Sequence, residues 1–457
     1  MRAKAALRTS RSNWVVLLPW GSSRDHCGDE IVSHSTRGDS VLATARRLVA
    51  DALYSLRYSP RRRRPKSDGL RGAARWAAQP FQAPDDAPLL SRLLGREPIG
   101  FQTETLRPAV ADRAILVTGA AGSIGSELCR QIAALQPRLL VAFDNAESGL
   151  FYLDQELGGC LPGAFVPWVG DIRDVRGVQE VIERHSLDTV FHTAAYKHVP
   201  LMEAYPLELI QTNVLGTWNL ARAAADGGVG RFVSISTDKA VNPANVMGLT
   251  KRIAELLVAG LAAAAPLHTR PASVRFGNVL GSSGSVVPVF HEQIARGGPV
   301  TVTHPDMRRY FMTTREAVHL VLQAAGMPDC AGTFVLDMGD PVRIDDLARH
   351  MIRSWGLRPG RDIEICYIGL RPGEKLDEEL IARGESSLPT SHPKIHELRG
   401  PAALPADIPG WIDELRFAIE KRDEAGAIAH MAALAPEYEP AQVKMQRLLA
   451  AAPAAAV

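Results

Sequence analysis

The sequence has no early apolar stretch long enough to cross a bilayer. Its longest early run, Trp14 to Trp20, is seven residues and contains Pro19, whereas a spanning helix needs roughly 20. Cysteine is scarce: the five are scattered, odd in number and never in CxxC spacing, so neither a disulfide framework nor a zinc site is expected, and no metal site is assigned. An excess of one charge is also missing. The net charge of +2 gives no global electrostatic reason to expect nucleic acid as a partner. The basic start followed by the short apolar run lacks a secretory cleavage region, since Pro-Trp-Gly-Ser-Ser-Arg fits one poorly. These absences lead to the expectation of a cytoplasmic protein without a transmembrane segment, with peripheral attachment at the inner face of the membrane as the alternative.

What remains has the composition of an ordinary folded protein, with 46% hydrophobic and 22% charged residues, and 457 residues imply about two or three domains. Residues 1–92 show little periodicity apart from a short helical stretch through Leu42 to Leu56 and read as a largely disordered arm. Eight basic residues and one acidic residue lie between Arg57 and Arg75. Without aromatic interleaving or an amphipathic helix, a solvated arm is preferred to a patch for lipid or nucleic acid. From Arg113 onward, β-branched runs alternate with Ala/Leu-rich stretches, the pattern of a parallel α/β sheet. Strands are expected at Ala114–Thr118, Leu139–Phe143, Phe165–Val169, Thr189–His192, Arg231–Ile235 and Ala272–Arg275. Helices are expected after Ser123, after Val175, through Asn213 to Ala225 and through Val246 to Ala264. The expected architecture is a Rossmann-type doubly wound sheet, mainly residues 93–280, a smaller C-terminal substrate-binding lobe, mainly 281–400, and a tail, 401–457, with one helix around Trp411 to Lys421.

Thr118-Gly119-Ala-Ala-Gly122-Ser123-Ile124-Gly125 follows the first strand and opens a helix. In that context the first glycine serves a tight turn, the second admits backbone amides to a pyrophosphate, and the third packs helix against strand. Asp144 ends the next strand, 19 residues beyond Gly125, where a carboxylate accepts from ribose hydroxyls and repels a 2′-phosphate. NAD is therefore expected in preference to NADP. A helix cap for the stretch beginning at Asn145 is the structural alternative for Asp144. Asp171 and Ile172 close the third strand, and Ala194 and Ala195 the fourth, all at strand ends where a dinucleotide lies.

These motifs, together with Ser236-Thr-Asp-Lys-Ala-Val-Asn-Pro243 after the fifth strand, resemble the extended short-chain dehydrogenase/reductases that act on nucleotide sugars. Gly122-Ser-Ile-Gly-Ser-Glu-Leu128, Ala195-Tyr-Lys-His-Val-Pro-Leu-Met-Glu203, Arg275-Phe-Gly-Asn-Val-Leu-Gly-Ser-Ser-Gly284 and Leu370-Arg-Pro-Gly-Glu-Lys375 narrow the resemblance. It is to the polysaccharide-biosynthesis UDP-N-acetylglucosamine 4,6-dehydratases, from Leu93-Leu-Gly-Arg-Glu-Pro98 to Pro436-Glu-Tyr438. Long members of that family carry transmembrane helices and a further domain ahead of the catalytic unit; neither is expected here. No Tyr in the chain is followed four residues later by Lys, and Met247 stands four residues before Lys251. That Met-x-x-x-Lys form resembles the long, C5-retaining dehydratases.

The resemblance implies hydride transfer from C4 of the sugar to NAD, loss of water across C5 and C6, and hydride return to C6, within polysaccharide or glycan biosynthesis. Lys239, with its charge disfavoured by partial burial and by Lys251, is the expected C5 base. Asp238 is the expected acid at C6 and acceptor of the C4 hydroxyl proton, Thr237 a partner of the reacting hydroxyl, and Lys251 the holder of the nicotinamide ribose. A loop ion pair is the alternative for Asp238-Lys239, and plain packing for Met247. Lys197, Asn278, Arg308 and Arg371 are candidates for the diphosphate of UDP-N-acetylglucosamine or a related UDP-sugar, and Glu374 for the uridine ribose. A homo-oligomer is expected. A nucleotide-sugar 4-epimerase and a non-catalytic dinucleotide-binding regulator are the competing functions.

Overall fold

The computed structural model describes residues 96, 104, 106–263, 268–328, 330–371, 373–400, 404–440 and 443. The arm 1–92, its helical stretch and its basic run lie outside the described residues. Five consecutive buried residues, Ala-Ile-Leu-Val-Thr, form β1 (Ala114–Thr118). Burial on both faces, rather than alternation, is what a parallel sheet covered by helices requires. The chain continues through α1 (Ser123–Ala134), β2 (Leu139–Asp144), α2 (Glu147–Leu157), β3 (Phe165–Val169), α3 (Val175–His185) and β4 (Thr189–His192). α3 shows why these segments are helices. Val178, Val181 and Ile182 recur on one face and are buried, the Asp174 carboxylate caps the Arg176 N–H, and Ser186 ends the helix in a left-handed conformation.

After β4 come helical turns at Val199–Met202 and Pro206–Ile210, a π-helical turn Gln211–Gly216, then α4 (Thr217–Asp226), β5 (Arg231–Thr237), α5 (Val246–Ala263) and β6 (Arg270–Phe276). The single helix expected through Asn213 to Ala225 is thus interrupted by a wider turn. β5 also extends two residues past the expected Ile235, because Ser236 and Thr237 pair with Arg275 and Phe276 of β6. That extension carries Thr237 to the carboxyl edge of the sheet.

Beyond β6 follow α6 (Val286–Ala295), α7 (Thr314–Gly326), β7 (Gly332–Leu336), α8 (Ile344–Ser354), β8 (Ser386–Pro389), β9 (Ile395–Arg399), α9 (Ile408–Glu420) and α10 (Glu424–Leu434). The main sheet has nine strands in the order β8-β9-β7-β6-β5-β4-β1-β2-β3. β1 to β7 are parallel, while β9 runs antiparallel to both β7 and β8. The expected lobe 281–400 is not separate from this sheet, since β7, β8 and β9 all return to it. A smaller core does form from Val287, Phe290, Val300, Leu347 and Ile352, with the strand pair Val300–Val302 and Ile365–Tyr367 on it. In the tail, α10 follows α9 where one helix was expected. Ala-rich α10 has no apolar stripe to read, yet Ala427 and Met431 are buried on it and Asp423 caps the Gly426 N–H.

Two hydrophobic layers flank the sheet. α1 and α7 bury Leu128, Ile132, Val318 and Leu322 on one face, whereas α3, α4, α5 and the tail helices bury Val178, Leu220, Ile253, Ile412 and Met431 on the other. Among the wholly buried side chains is a guanidinium. Arg275 of β6 is fully buried and donates to Glu255 Oε1 (3.0 Å) and Oε2 (2.8 Å), to Glu385 Oε2 (2.8 Å) and Oε1 (3.1 Å), and to the Leu380 carbonyl (2.9 Å). Glu255 also accepts from Ser236 Oγ at 2.5 Å. Burial alone raises the Glu255 pKa, but Arg275 and Arg252 outweigh it and the net direction is down.

Removing one partner from such a buried network leaves charges unpaired. Arg275→Met is expected to cost about 3–5 kcal/mol of stability, and Arg275→Met with Glu255→Gln less than the single change. Urea denaturation measures both; a single variant as stable as the wild type would show that these ion pairs do not hold the sheet to its neighbours.

Candidate active site

The strand order reverses between β1 and β4, opening a crevice at their carboxyl ends. A cleft of about 290 Å³ lies there, lined among others by Gly119, Gly122, Asp144, Asp171, Ala194 and Ala195. Gly119 has φ +69°, and a Cβ on it would sit 2.6 Å from the Ala194 N. A Cβ on Gly125 would sit 2.1 Å from the Gly119 carbonyl oxygen, so the loop closes only without side chains at both positions. Gly122 is the N-cap of α1 and has no side chain to cap it, which leaves the helix's first amides to an anion. Asp144 holds the rim: its Oδ2 accepts from the Ala121 N–H and its Oδ1 from the Ala146 N–H, both at 2.9 Å. The N-cap of α2 is Ala146, not Asp144. This cradle suits a dinucleotide: glycines where a Cβ would collide, a helix N-terminus, and a carboxylate at the second strand's end.

Other parts of the cleft are fixed from beneath. Arg173 grips Asp171, its Nη2 at 2.6 Å from Oδ2. Burial raises the Asp171 pKa, yet the Arg173 bonds win and hold it below the usual carboxylate range. Ile172 has its side chain in the core, against Gly216 of the π-turn. His192 is buried between Thr118 Oγ1 (2.8 Å) and Thr217 Oγ1 (2.9 Å), and burial pushes its pKa down to about 3, so it is neutral. Asn213, inside the π-turn, was not read from the sequence. Its Oδ1 accepts from the Tyr196 N–H (2.8 Å) and its Nδ2 donates to the Tyr196 carbonyl (3.0 Å) and to Thr250 Oγ1 (3.1 Å). The loop after β4 is thereby tied to α5.

The Thr-Asp-Lys segment sits where β5 ends. Thr237 Oγ1 donates to Asp238 Oδ1 at 2.8 Å, and Lys239 Nζ donates to the same oxygen at 2.9 Å and to Asn278 Oδ1 at 3.1 Å. Asn278, expected at the diphosphate, therefore orients Lys239. Glu378 Oε1 stands 3.9 Å from Lys239 Nζ, with a side chain only 4% exposed. The expected suppression of the Lys239 charge by burial and Lys251 is not found. Burial does lower its pKa, but Asp238 and Glu378 outweigh that and the net direction is up, so the resting side chain is an ammonium. Lys251 differs. Its Nζ donates to the Ile235 carbonyl at 2.5 Å, and burial, opposed only partly by Glu255, pushes its pKa down to about 8. Met247 is buried among the apolar residues that α5 packs against the sheet.

The remaining candidates lie on loops and, for Arg308, on the short strand Arg308–Arg309. Lys197 and Arg308 are exposed, and Arg371 is half-buried with its N–H donating to Glu374 Oε2 at 3.0 Å, so Glu374 closes its own turn. Lys375 Nζ donates to the Val241 carbonyl (2.7 Å) and Asn245 Nδ2 to the Gly373 carbonyl (2.9 Å), strapping this segment across the end of β5. Glu378 and Arg309, which it brings in, were not singled out from the sequence.

The strand order, glycine loop and Thr-Asp-Lys turn define an extended short-chain dehydrogenase/reductase fold. The description "Polysaccharide biosynthesis protein" belongs to the family whose model matches residues 115–399, and the chain belongs to that family. It is 49% identical over 295 residues to the capsular polysaccharide biosynthesis protein CapD of Staphylococcus aureus, covering 64% of this chain and 49% of that one. The chain thus spans about half the length of that curated relative. A Rickettsia massiliae protein named UDP-glucose 4-epimerase is 34% identical, over 65% of this chain and 84% of its own. The crystal structure of Pen from Bacillus thuringiensis superposes with a TM-score of 0.59 at 34% identity, over 63% of this chain and 89% of that one. No helix among the described residues is long and apolar enough to cross a membrane.

The two glycines of the loop are expected to respond differently to a methyl group. At Gly122 a Cβ would lie 3.2 Å from the Gly119 oxygen, a contact small shifts relieve, against 2.1 Å at Gly125. Gly125→Ala should cost about 1–3 kcal/mol and Gly122→Ala clearly less. Equal melting temperatures for the two variants would show that the loop does not need the close approach.

Proposed function

We propose that this protein is an NAD-dependent UDP-N-acetylglucosamine 4,6-dehydratase that forms the 4-keto-6-deoxy sugar with retention at C5, for polysaccharide or glycan biosynthesis. The observation that carries the reading is the Asp238–Lys239 pair at the carboxyl end of β5, two proton-exchanging groups held 2.9 Å apart. A 4-epimerase needs proton exchange only at the C4 hydroxyl, so a second acid–base group next to Asp238 favours elimination. Met247 has no proton to exchange, which leaves the proton transfers to the Thr-Asp-Lys turn.

Bound NAD would supply the acceptor for the C4 hydride and its return to C6. Asp238 takes the proton of the C4 hydroxyl. The C4 ketone then acidifies C5, Lys239 removes that proton, and Asp238 delivers its own to the departing C6 hydroxyl, which leaves as water. Lys239 later returns a proton to C5. Thr237 keeps Asp238 turned toward the sugar through its 2.8 Å bond. Lys197, Arg308 and Arg371 are the cations proposed for the diphosphate, and Lys251 the partner of the nicotinamide ribose.

Mass spectrometry of UDP-N-acetylglucosamine incubated with the protein and NAD is expected to show loss of one water. An unchanged mass with inverted C4 would make it an epimerase, and an untouched sugar a binder only. Lys239→Ala should lower turnover about 100- to 10,000-fold and let bound reduced cofactor accumulate, read by its absorbance; near-normal turnover would remove Lys239 from the mechanism.

Cofactor choice rests on Asp144, which lines the cleft at the end of β2. Calorimetry should show tighter binding of NAD than of NADP, and Asp144→Ala should narrow the gap without abolishing binding, because the loop amides remain. Tighter NADP binding to the wild type would overturn this choice.

A further inference from the structure

Lys239 is an ammonium at rest, yet the dehydratase reading needs it as an amine when C5 is deprotonated. Its proton must go to a group that is close, shielded from solvent and not already engaged. We propose that Glu378 is that group: it takes the Lys239 proton before elimination and returns it afterwards, acting through Lys239 as a positioning residue rather than touching the sugar. This inference rests on the dehydratase reading.

Three observations single out Glu378. Its Oε1 is 3.9 Å from Lys239 Nζ, within reach after a small side-chain movement. Its Oε2 is buried and accepts no hydrogen bond among the described residues. The other cation beside it, Arg309, makes no hydrogen bond to it: its Nε forms an ion pair with Glu378 Oε1 at 3.8 Å, while its Nη atoms donate to the carbonyls of Arg308, Lys375 and Leu376. Asp238 shares the second feature, its Oδ2 being buried without a hydrogen bond, but its Oδ1 already receives bonds from Thr237 and Lys239, and the dehydratase reading gives it the C4 hydroxyl proton. A buried carboxylate left so poorly paired favours its neutral form. Burial and Asp238 raise the Glu378 pKa, against the pull of Lys239, Arg309 and Lys375, and the net direction is up.

The first step of the reaction triggers the transfer. When Asp238 accepts the C4 hydroxyl proton it becomes neutral, and Lys239 loses the counter-charge that sat 2.9 Å away. The ammonium N–H bond then breaks, its proton forms an O–H bond on Glu378, and a separated charge pair becomes a neutral amine and a neutral acid. Such a pair is cheaper to keep in a site closed over a sugar. The freed lone pair takes the C5 proton, the C6–O bond breaks, and Asp238 gives up its proton to form water. As C5 is reprotonated from Lys239, the Glu378 proton passes back, so each group ends as it began.

The test uses the full chain with NAD and UDP-N-acetylglucosamine, comparing wild type, Glu378→Gln and Glu378→Asp. In Glu378→Gln, kcat should fall about 100-fold with KM within about twofold, and deuterium from heavy water should enter C5 correspondingly slowly. The pH profile separates this role from a structural one. With Glu378 as proton holder, the active form carries one proton on the pair. The wild-type rate is therefore level above an acid limb. Without the holder Lys239 must lose its proton to solvent, so the Glu378→Gln rate should climb about tenfold per pH unit into the alkaline range. Glu378→Asp should recover at least about tenfold and regain the level region. The proposal is overturned if Glu378→Gln keeps kcat within about threefold, or is slow with the wild-type profile, or if Glu378→Asp lacks the level region. Should Glu378→Gln not fold, an acid limb in Glu378→Asp at the wild-type position would overturn it equally, and a moved limb would support it. A wild type that removes no water refutes the dehydratase reading, whereas a dehydrating wild type with a normal Glu378→Gln refutes only the role of Glu378.

Discussion

A single guanidinium with no access to water organises the half of the molecule that carries the Thr-Asp-Lys turn. Arg275 sits on β6, but its partners come from α5 through Glu255 and from the 380–385 turn through Glu385 and the Leu380 carbonyl. Arg252 extends the chain of charges, donating to Glu255 at 3.3 Å and to Glu437, after α10, at 2.8 Å. Dispersion alone would let these segments slide, since apolar contacts carry no direction. Charge-assisted hydrogen bonds with fixed geometry do not allow it. The segment that brings Glu378 over Lys239 is therefore anchored at one end by Arg275 and at the other by Lys375 and Asn245.

Charge at the centre of the site is decided by competition between burial and neighbours. Lys239 and Lys251 lie twelve residues apart in sequence, the first half-buried and the second buried, but their pKa values move in opposite directions. Lys239 has two carboxylates within 4 Å, whereas Lys251 has a backbone carbonyl and the more distant Glu255. Burial pushes both down; what reverses the direction at Lys239 is the placement of Asp238 and Glu378. A residue type and its burial are therefore not enough to assign a protonation state. The acids that face it must be known.

That is also where reading the sequence stopped short. The doubly wound sheet was legible because buried parallel strands leave unmistakable runs such as Ala114–Thr118 and because the glycine loop needs both its spacing and its place between strand and helix. The Thr-Asp-Lys turn was legible as a group for the same reason of position. Glu378 was not, as it lies in Asp377-Glu378-Glu379, a run that looks like a solvated surface, and only the fold turns the middle acid inward. Arg309 hides likewise beside exposed Arg308. The expected lobe boundary missed the return of β7, β8 and β9 because nonlocal strand pairing leaves no local signal. Met247 was legible as an absence, a helix position without the phenol that a proton shuttle would use.

The π-turn at Gln211–Gly216 has a bearing on which insertions and deletions this chain can accept. One residue more than an α-helical turn needs is packed into it, and that surplus lets Asn213 face Tyr196 with both ends of its amide while α4 keeps its apolar side on the sheet. Each residue of an α-helix turns the chain by about 100°, so losing one from this turn would swing either Asn213 away from the loop after β4 or α4 away from its layer. These six residues are a fixed-length spacer, and the rim of the crevice keeps its shape only while their number is preserved.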